Sequence, residues 1–358
     1  MGKYFSNVIP EIKDYFKILS EEFPEFLEDY ISTPEMQRIG KTSMFMGKEH
    51  TKYFPVKYPV TNLDHSVEVA LILWHFTHDK AQTLAGLFHD IAVPVFKHCI
   101  DYMNGDYETQ ESTEERTESI IRGSKQIMEL LNRDGIKPEE VIDYKIYPLA
   151  DSPTPRLSAD RFGYTFSCGL SLLVGGKYAF DLDFVKKVYE DVVVGTNEYG
   201  LPEFSFKHKS ICEEYIHKIR GLWVEWNNEQ NKVYMNFLGD ICKAESIIGE
   251  LSVNDLYTLS EIDVINKIKN SANKYIAESF EKFLTCDKID VLDEKVEGRY
   301  CFKTKGKKRF LVPLVQTDEG YKRITEISEQ AKIDIESFLS ENHERYGCLE
   351  FDFDPEKV

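Results

Sequence analysis

The stretch that decides the fold is Leu84-Ala85-Gly86-Leu87-Phe88-His89-Asp90, an apolar run of helical character that stops on an imidazole followed by a carboxylate. A carboxylate beside that much apolar surface is costly to bury alone, so Asp90 needs a cation or a hydrogen-bond network. Working back, His78-Asp79 forms a polar joint, and Asp79 with Gln82 three residues on has the pattern of a helix N-cap. Before the joint, residues 66–76 repeat the helical apolar period, and His65 stands at the start of that helix in Asn62-Leu63-Asp64-His65-Ser66-Val67. Two antiparallel helices joined at 77–80 bring His65 beside His89, because the two lie about 13 and about 10 residues from the joint at 1.5 Å each.

The rest of the chain sets limits on what such a site can serve. The 358 residues carry 44 Lys+Arg against 62 Asp+Glu, a formal net charge of −18. That balance disfavours a broad basic face for duplex nucleic acid or an anionic membrane. At 42% hydrophobic and 13% aromatic, the composition supports one large core with a smaller satellite. No apolar run reaches the roughly 18 to 20 residues of a membrane span, and Pro10, Glu11 and Asp14 interrupt the first residues where a signal peptide is apolar. The expectation is a soluble, cytoplasmic protein. Cys99, Cys168, Cys212, Cys242, Cys286, Cys301 and Cys348 are widely spaced, with no Cys-x-x-Cys pair, and are expected as reduced thiols in the core.

Helical periodicity dominates from about residue 10 to residue 285, clearest over 66–76, 80–92, 117–132, 156–173, 183–193, 208–226 and 232–248. Turn chemistry breaks it at Asn104-Gly105, Pro148 to Pro155, Gly175-Gly176 and Gly195 to Pro202. After Cys286, the β-branched and aromatic runs 287–303 and 309–315 flank Lys305-Gly306-Lys307-Lys308, which predicts a hairpin, and a helix follows near 324–340. The expected architecture is mainly α: a helical body over 1–285, with its motifs in 60–170, and a small α+β appendage over 286–358.

A further ligand should come from an acid on a facing helix, and Ser158-Ala159-Asp160-Arg161-Phe162 supplies one after the proline-rich break. Two imidazoles and two carboxylates make a mixed N/O site suited to Mn, Fe, Ni, Co or Zn, with positions left for water and substrate. The ordered set His65, His89-Asp90 and Asp160 resembles the HD-domain metal-dependent phosphohydrolases. The wider wording is similar to their deoxynucleoside-triphosphate triphosphohydrolase branch: Thr33-Pro34-Glu35-Met36-Gln37-Arg38-Ile39 to its "TP-x-x-QRL", Asp64-His65-Ser66 to its "EHS", Ala85 to Asp90 to its "AGL-x-HD", and Ala159-Asp160-Arg161 to its "AD(K/R)". The likeness runs over roughly residues 25 to 250 and implies an HD-domain helical bundle.

The resemblance implies that His65, His89, Asp90 and Asp160 hold one divalent transition metal, with Mg accompanying the substrate as a further cation. It places Arg161 on a phosphate-binding position and Tyr164 on a substrate-contacting one, and it makes His98 and Asp101 active-site polar residues. Arg220 falls near a distant arginine for a terminal phosphate. In the catalytic step, Asp90 or Asp160 orients a water, Lys97 and Arg161 draw the phosphate, and His98, Asp101 or Glu114 moves the proton.

Departures from the branch weaken its substrate assignment. Val93 stands for a second histidine, Thr113-Glu114-Glu115 for "THE", Asn62 for a common arginine, and Cys168 for an acid that reads the sugar hydroxyl. The expected partner is a small phosphorylated substrate, foremost a nucleotide or a deoxynucleoside triphosphate, with no membrane, no extended nucleic-acid surface, and self-association left open. The alternatives are a phosphomonoesterase or phosphodiesterase for another small ester, and a catalytically silent metal-bearing sensor. For the sensor, Lys303, Lys305, Lys307, Lys308 and Arg309 offer an effector-phosphate site, against the plainer expectation of a solvated lysine-rich edge.

Overall fold

The computed structural model describes residues 3–110 and 116–358, and over these the chain is mainly α, with nineteen α-helices and nine short strands. Its centre is the helical pair read from the sequence. The helix Asn62–Thr77 begins on a capping box, in which Thr61 and Asp64 satisfy each other's backbone donors, and ends where His78 turns the chain at φ 51. Asp79 then caps the helix Lys80–Phe88 by accepting from the Gln82 amide. This second helix is shorter than the predicted 80–92, because His89 and Asp90 leave it in a turn. Gly86 lets the pair close: a Cβ there would lie 2.4 Å from Leu73 Cδ1.

The helix Ala159–Ser171, capped by Ser158, packs across this pair, and Phe162 and Phe166 bury themselves beside Tyr215 and Phe204. The predicted helix 117–132 is two helices, Thr117–Gly123 and Lys125–Asp134, because Ser124 leaves the first and caps the second. Helices Lys209–Asn227 and Glu229–Ile247 follow the periodic stretches closely.

The helical body also carries strands that periodicity did not indicate. Leu173–Val174 (β1) and Lys177–Tyr178 (β2) form a small ribbon across Gly175-Gly176. Val192–Thr196 (β3) and Pro202–Phe206 (β4) form an antiparallel hairpin. Val192, Val193 and Val194 favour that extended state, and Gly200, at φ 75, turns it.

In the last third, the predicted lysine-rich hairpin does not form. Asp290–Leu292 (β5) and Cys301–Phe302 (β6) both pair with Tyr346–Cys348 (β9) in the order β5-β9-β6. Leu314–Thr317 (β7) pairs antiparallel with Gly320–Arg323 (β8) and, in parallel register, with β4 of the body. Residues 303–313 are therefore an irregular strap running between two sheets. The segment expected as an appendage shares a four-stranded sheet, β3-β4-β7-β8, with the helical body. Arg323 seals this junction through an ion pair to Glu203, which is 1% exposed.

The expectation of seven free thiols is also corrected. Antiparallel register sets Cys301 directly opposite Cys348, and the two are joined in a disulfide, while Cys99, Cys168, Cys212, Cys242 and Cys286 are free.

Two apolar cores result. One holds Leu71, Phe88, Phe162, Tyr215 and Trp223; the other holds Phe96, Cys99, Phe237, Phe283 and Leu349. The chain passes from the first to the second between Ile91 and Val95. That crossing places the residues after His89-Asp90 at the seam between the cores.

Candidate metal centre

His65, His89 and Asp160 come together as the helical pairing requires, with one ligand atom from each lying within 4.8 Å of the others. His65 Nε2 is 3.1 Å from Asp160 Oδ1 and 3.2 Å from His89 Nε2, and His89 Nε2 is 3.6 Å from Asp160 Oδ1. Both rings are oriented from behind. His65 Nδ1 lies 2.6 Å from Glu68 Oε1, and His89 Nδ1 lies 2.7 Å from the Gly86 carbonyl oxygen. A carbonyl only accepts, so His89 carries its proton on Nδ1, and Glu68 favours the same tautomer for His65. In these neutral tautomers both Nε2 atoms are left to bind a divalent cation beside the Asp160 carboxylate, whereas a protonated His65 instead donates from Nε2 to Asp160. The donor set fits such an ion: two imidazoles backed by a carboxylate and a carbonyl, plus an acid on a third helix.

Asp90 adjoins this group without being one of the three. Its Oδ2 lies 3.7 Å from His89 Nε2 and 2.8 Å from Lys97 Nζ. Burial would raise the Asp90 carboxyl, but Lys97, His89 and His65 outweigh it and hold it well below the usual carboxylate range. Burial likewise opposes ionisation of Asp160, and the hydrogen bond from His65 with the charge of His89 reverses that shift. His65 is raised to about 9: burial lowers it, and Asp160 and Glu68 more than compensate.

Glu68 was missed by sequence reasoning. It is fully buried in an apolar helix, bonds His65, and accepts from Ser167 on the facing helix. The legible signal was its spacing, three residues after His65, one helical turn on the same face. Gly163 makes room for it, since a Cβ there would stand 2.9 Å from Glu68 Oε1.

The loop after Asp90 is held under strain. Phe96 and Lys97 both have positive φ, 65 and 43, a region that side chains rarely occupy. Such residues persist only when their surroundings fix them. Phe96 is buried in the second core, Lys97 is held by Asp90, and Arg38 donates to the carbonyls of Ile91 and Val93. The helix His98–Met103 starts immediately afterwards. His98 Nδ1 lies 2.9 Å from Oδ2 of Asp101, which is fully buried, while the His98 side chain is 35% exposed, so the pair joins a buried acid to an imidazole within reach of solvent.

The strap 303–313 reaches the same place. Arg309 Nη2 sits 3.2 Å from His98 Nε2 and donates to Gln110 Oε1 at 2.8 Å. Neither Arg309 as a site neighbour nor Gln110 was anticipated. Two of the strap lysines have structural partners: Lys307 donates to the Thr109 carbonyl, and Lys308 caps the C-terminal carbonyls of Phe338 and Leu339.

Three expected substrate contacts fare differently. Tyr164 is partly buried, packed edge-on against Trp226 at 5.3 Å, and burial pushes its hydroxyl up to about 12. Arg161 is not open toward the cluster: its Nη1 is 3.1 Å from Asp151 Oδ1 and bonds the Ser152 and Arg156 carbonyls. The short loop 151–158 captures that guanidinium before it can extend. Arg220 is engaged by Ser337 and Glu341 on the C-terminal side of the fold. Asn62, in place of an arginine, is buried and donates to Thr42 and Ser43. Glu114 lies outside the described residues. A second grouping, Glu49, His50 and Glu261, also brings three ligand atoms within 4.8 Å, with His50 exposed and Glu261 buried.

Comparison with known proteins bears on the fold. No family model matches the chain. It is 22% identical over 313 residues to the uncharacterized protein YdhJ of Bacillus subtilis, covering 86% of this chain and 89% of that one. It is 25% identical over 131 residues to the metal-dependent phosphohydrolase cns2 of Cordyceps militaris, covering 37% of this chain and 36% of that protein. Among solved structures, a hypothetical protein from Aquifex aeolicus aligns with a TM-score of 0.59 at 15% identity, over 92% of this chain and 93% of its own. A phosphohydrolase from Bacteroides thetaiotaomicron aligns with a TM-score of 0.60 at 13% identity, over 93% and 97%. Nearly the whole chain therefore adopts a fold already seen in solved proteins, one of which bears the name phosphohydrolase.

Proposed function

We propose that this protein is a metal-dependent phosphohydrolase of the HD type, acting on a small phosphate ester, with a nucleotide or deoxynucleotide as the substrate. The observation that carries this is the convergence of His65, His89 and Asp160, with Glu68 behind His65 and Asp90 alongside. The names borne by the fungal relative and the Bacteroides neighbour agree with it.

A divalent cation bound by His65, His89 and Asp160 would supply Lewis-acid polarisation of a phosphoryl oxygen and a more acidic water. The chain's own residues do the rest. Asp90 orients the attacking water, and its partner Lys97 offers an ammonium to the phosphate. Arg309 can only donate, so the His98 Nε2 facing it is an acceptor, and the His98 proton sits on Nδ1 toward Asp101. His98 is thereby set to take a proton at Nε2 once Arg309 turns to a substrate phosphate oxygen. Lys97 and Arg309 together offset the charge that develops on the reacting phosphate.

A second reading, a phosphomonoesterase or phosphodiesterase for another small ester, is favoured by Val93, by the engaged Arg161 and by Asn62 bonding the scaffold. The test is to purify the protein without chelator, identify its metal by elemental analysis, and separate the products from each deoxynucleotide and from simple phosphate esters. Release of inorganic triphosphate supports a triphosphohydrolase, and release of orthophosphate supports the second reading. Unchanged turnover in Asp90→Ala would remove Asp90 from the site. Absence of turnover on every ester, with metal bound, would leave a sensor.

A further inference from the structure

Lys48 is a buried cation that the proposed chemistry does not use. It is 5% exposed, and no hydrogen bond or ion pair reaches its Nζ among the described residues. The ammonium lies 4.6 Å from the Phe54 ring centroid and 5.9 Å from that of Tyr234. Its nearest carboxylates, Glu225 and Glu49, act on it only at longer range, and each is already bonded, Glu225 to Asn228 and Glu49 to Ser43. Burial lowers its pKa, as expected of an ammonium without a close counter-ion. Charges in such surroundings are normally paired, and a buried one that is left unpaired is a candidate for a ligand of opposite charge.

Its location bears on the metal centre. Gly47, at φ 79, packs on Phe96, the residue before Lys97, where a Cβ would lie 3.0 Å from Phe96 Cε1. Tyr234 donates to the Met46 carbonyl, so the turn that carries Lys48 is tied to the helix Glu229–Ile247 and packs on the strained loop through Gly47 and Phe96. On the facing helix, Asp160, Tyr164 and Cys168 occupy successive turns of one face, which spans about 12 Å at 1.5 Å per residue. Asp160 joins the metal ligands, Tyr164 and Trp226 present partly exposed rings, and the charges of Lys48 and Lys97 both act on the buried Cys168 thiol. The face thus runs from a cation site, past an aromatic wall, to a second cation.

We infer, resting on the phosphohydrolase reading, that Lys48 receives a second phosphate of the substrate, remote from the one attacked, so that the preferred ligand is a nucleoside carrying phosphates at both ends. The planar base or sugar body lies along Tyr164 and Trp226, and the remote phosphate supplies the counter-charge that Lys48 lacks.

The experiment titrates metal-loaded protein with adenosine 5′-monophosphate and with adenosine 3′,5′-bisphosphate in a calorimeter, for the wild type, Lys48→Met and Lys48→Arg. The bisphosphate should bind the wild type at least tenfold more tightly than the monophosphate. Lys48→Met should abolish that preference while leaving monophosphate affinity unchanged, and Lys48→Arg should retain most of it. Because methionine fills the same space without a charge to desolvate, the melting temperature of Lys48→Met should hold or rise. Equal binding of both ligands by the wild type, or an undiminished preference in Lys48→Met, overturns the subsite and leaves the metal centre standing. If the wild type binds neither ligand, the bisphosphate subsite is overturned, and the product screen on deoxynucleotides and simple esters decides the phosphohydrolase reading separately.

Discussion

Arg309 and His98 stand 3.2 Å apart, Nη2 to Nε2, across a sequence separation of 211 residues. Because a guanidinium never accepts, this pairing fixes the imidazole as the tautomer that donates to Asp101. Burial lowers the His98 pKa first, and Arg309 and Lys97 add to that against the opposing pull of Asp101.

The sign of a pH effect follows. A base works only when unprotonated, so a depressed pKa lets His98 serve at lower pH. Removing the Arg309 cation lets that pKa rise, so in Arg309→Met the acid limb of the pH–rate profile should move to higher pH. The same substitution deprives the reacting phosphate of a guanidinium, so kcat/KM should fall on the order of 100-fold. The check is phosphate release measured across pH 5 to 9; a uniform drop in rate with an unmoved acid limb would disconnect Arg309 from His98.

Glu68 holds the ring of His65, and such partners govern metal affinity without touching the ion. Glu68→Gln should weaken metal binding by about 10- to 100-fold. Gly163→Ala, whose new methyl would press on Glu68 Oε1, should weaken it less. Competition with a chromogenic chelator reads both, and unchanged affinity in both variants would make Glu68 a packing residue only.

Chelation offers an independent measure. A ligand present at 100 times its Kd stabilises a fold by about 2.7 kcal/mol. Stripping the metal should therefore lower the melting temperature of the wild type, whereas His65→Ala should melt at one temperature with or without chelator. A chelator effect of equal size in His65→Ala would place the bound ion elsewhere, with Glu49, His50 and Glu261 the next site to examine.

At the junction of the four-stranded sheet, Arg323 neutralises the nearly inaccessible Glu203. Breaking a buried pair from one side leaves an uncompensated charge, at about 3 to 5 kcal/mol. Arg323→Ala should lose roughly that much in denaturant unfolding, somewhat less because Arg323 is 14% exposed and shares its charge with Glu198. Arg323→Met combined with Glu203→Leu should recover most of the loss.

The helical pair and the His65, His89 and Asp160 cluster were legible because two features coincide there: a strong apolar period and polar residues that such a period should not contain. What local pattern hides is what the tertiary structure decides. Val192 to Val194 continue a helix in hydrophobicity, and only pairing with β4 draws them into a strand. Lys305 to Lys308 have hairpin composition, yet β6 and β7 find partners in different sheets and leave a strap between them. Arg309 has no local signature at all, since its meaning comes from a residue more than two hundred positions earlier. Arg161 matched a motif in sequence, but a neighbouring acid, Asp151, holds its side chain.

The strap has a consequence for the order in which the molecule becomes competent. A ribosome releases the metal ligands early, and the helices that carry them can pair while most of the later chain is still being made. His98 nonetheless lacks its guanidinium until Arg309 has emerged and β7 has docked on β4. His65, His89 and Asp160 are thus all synthesised well before the residue that faces His98. Docking of β7 on β4 is what carries Arg309 to His98, and a chain that stopped before it would leave Nε2 of that imidazole without its guanidinium.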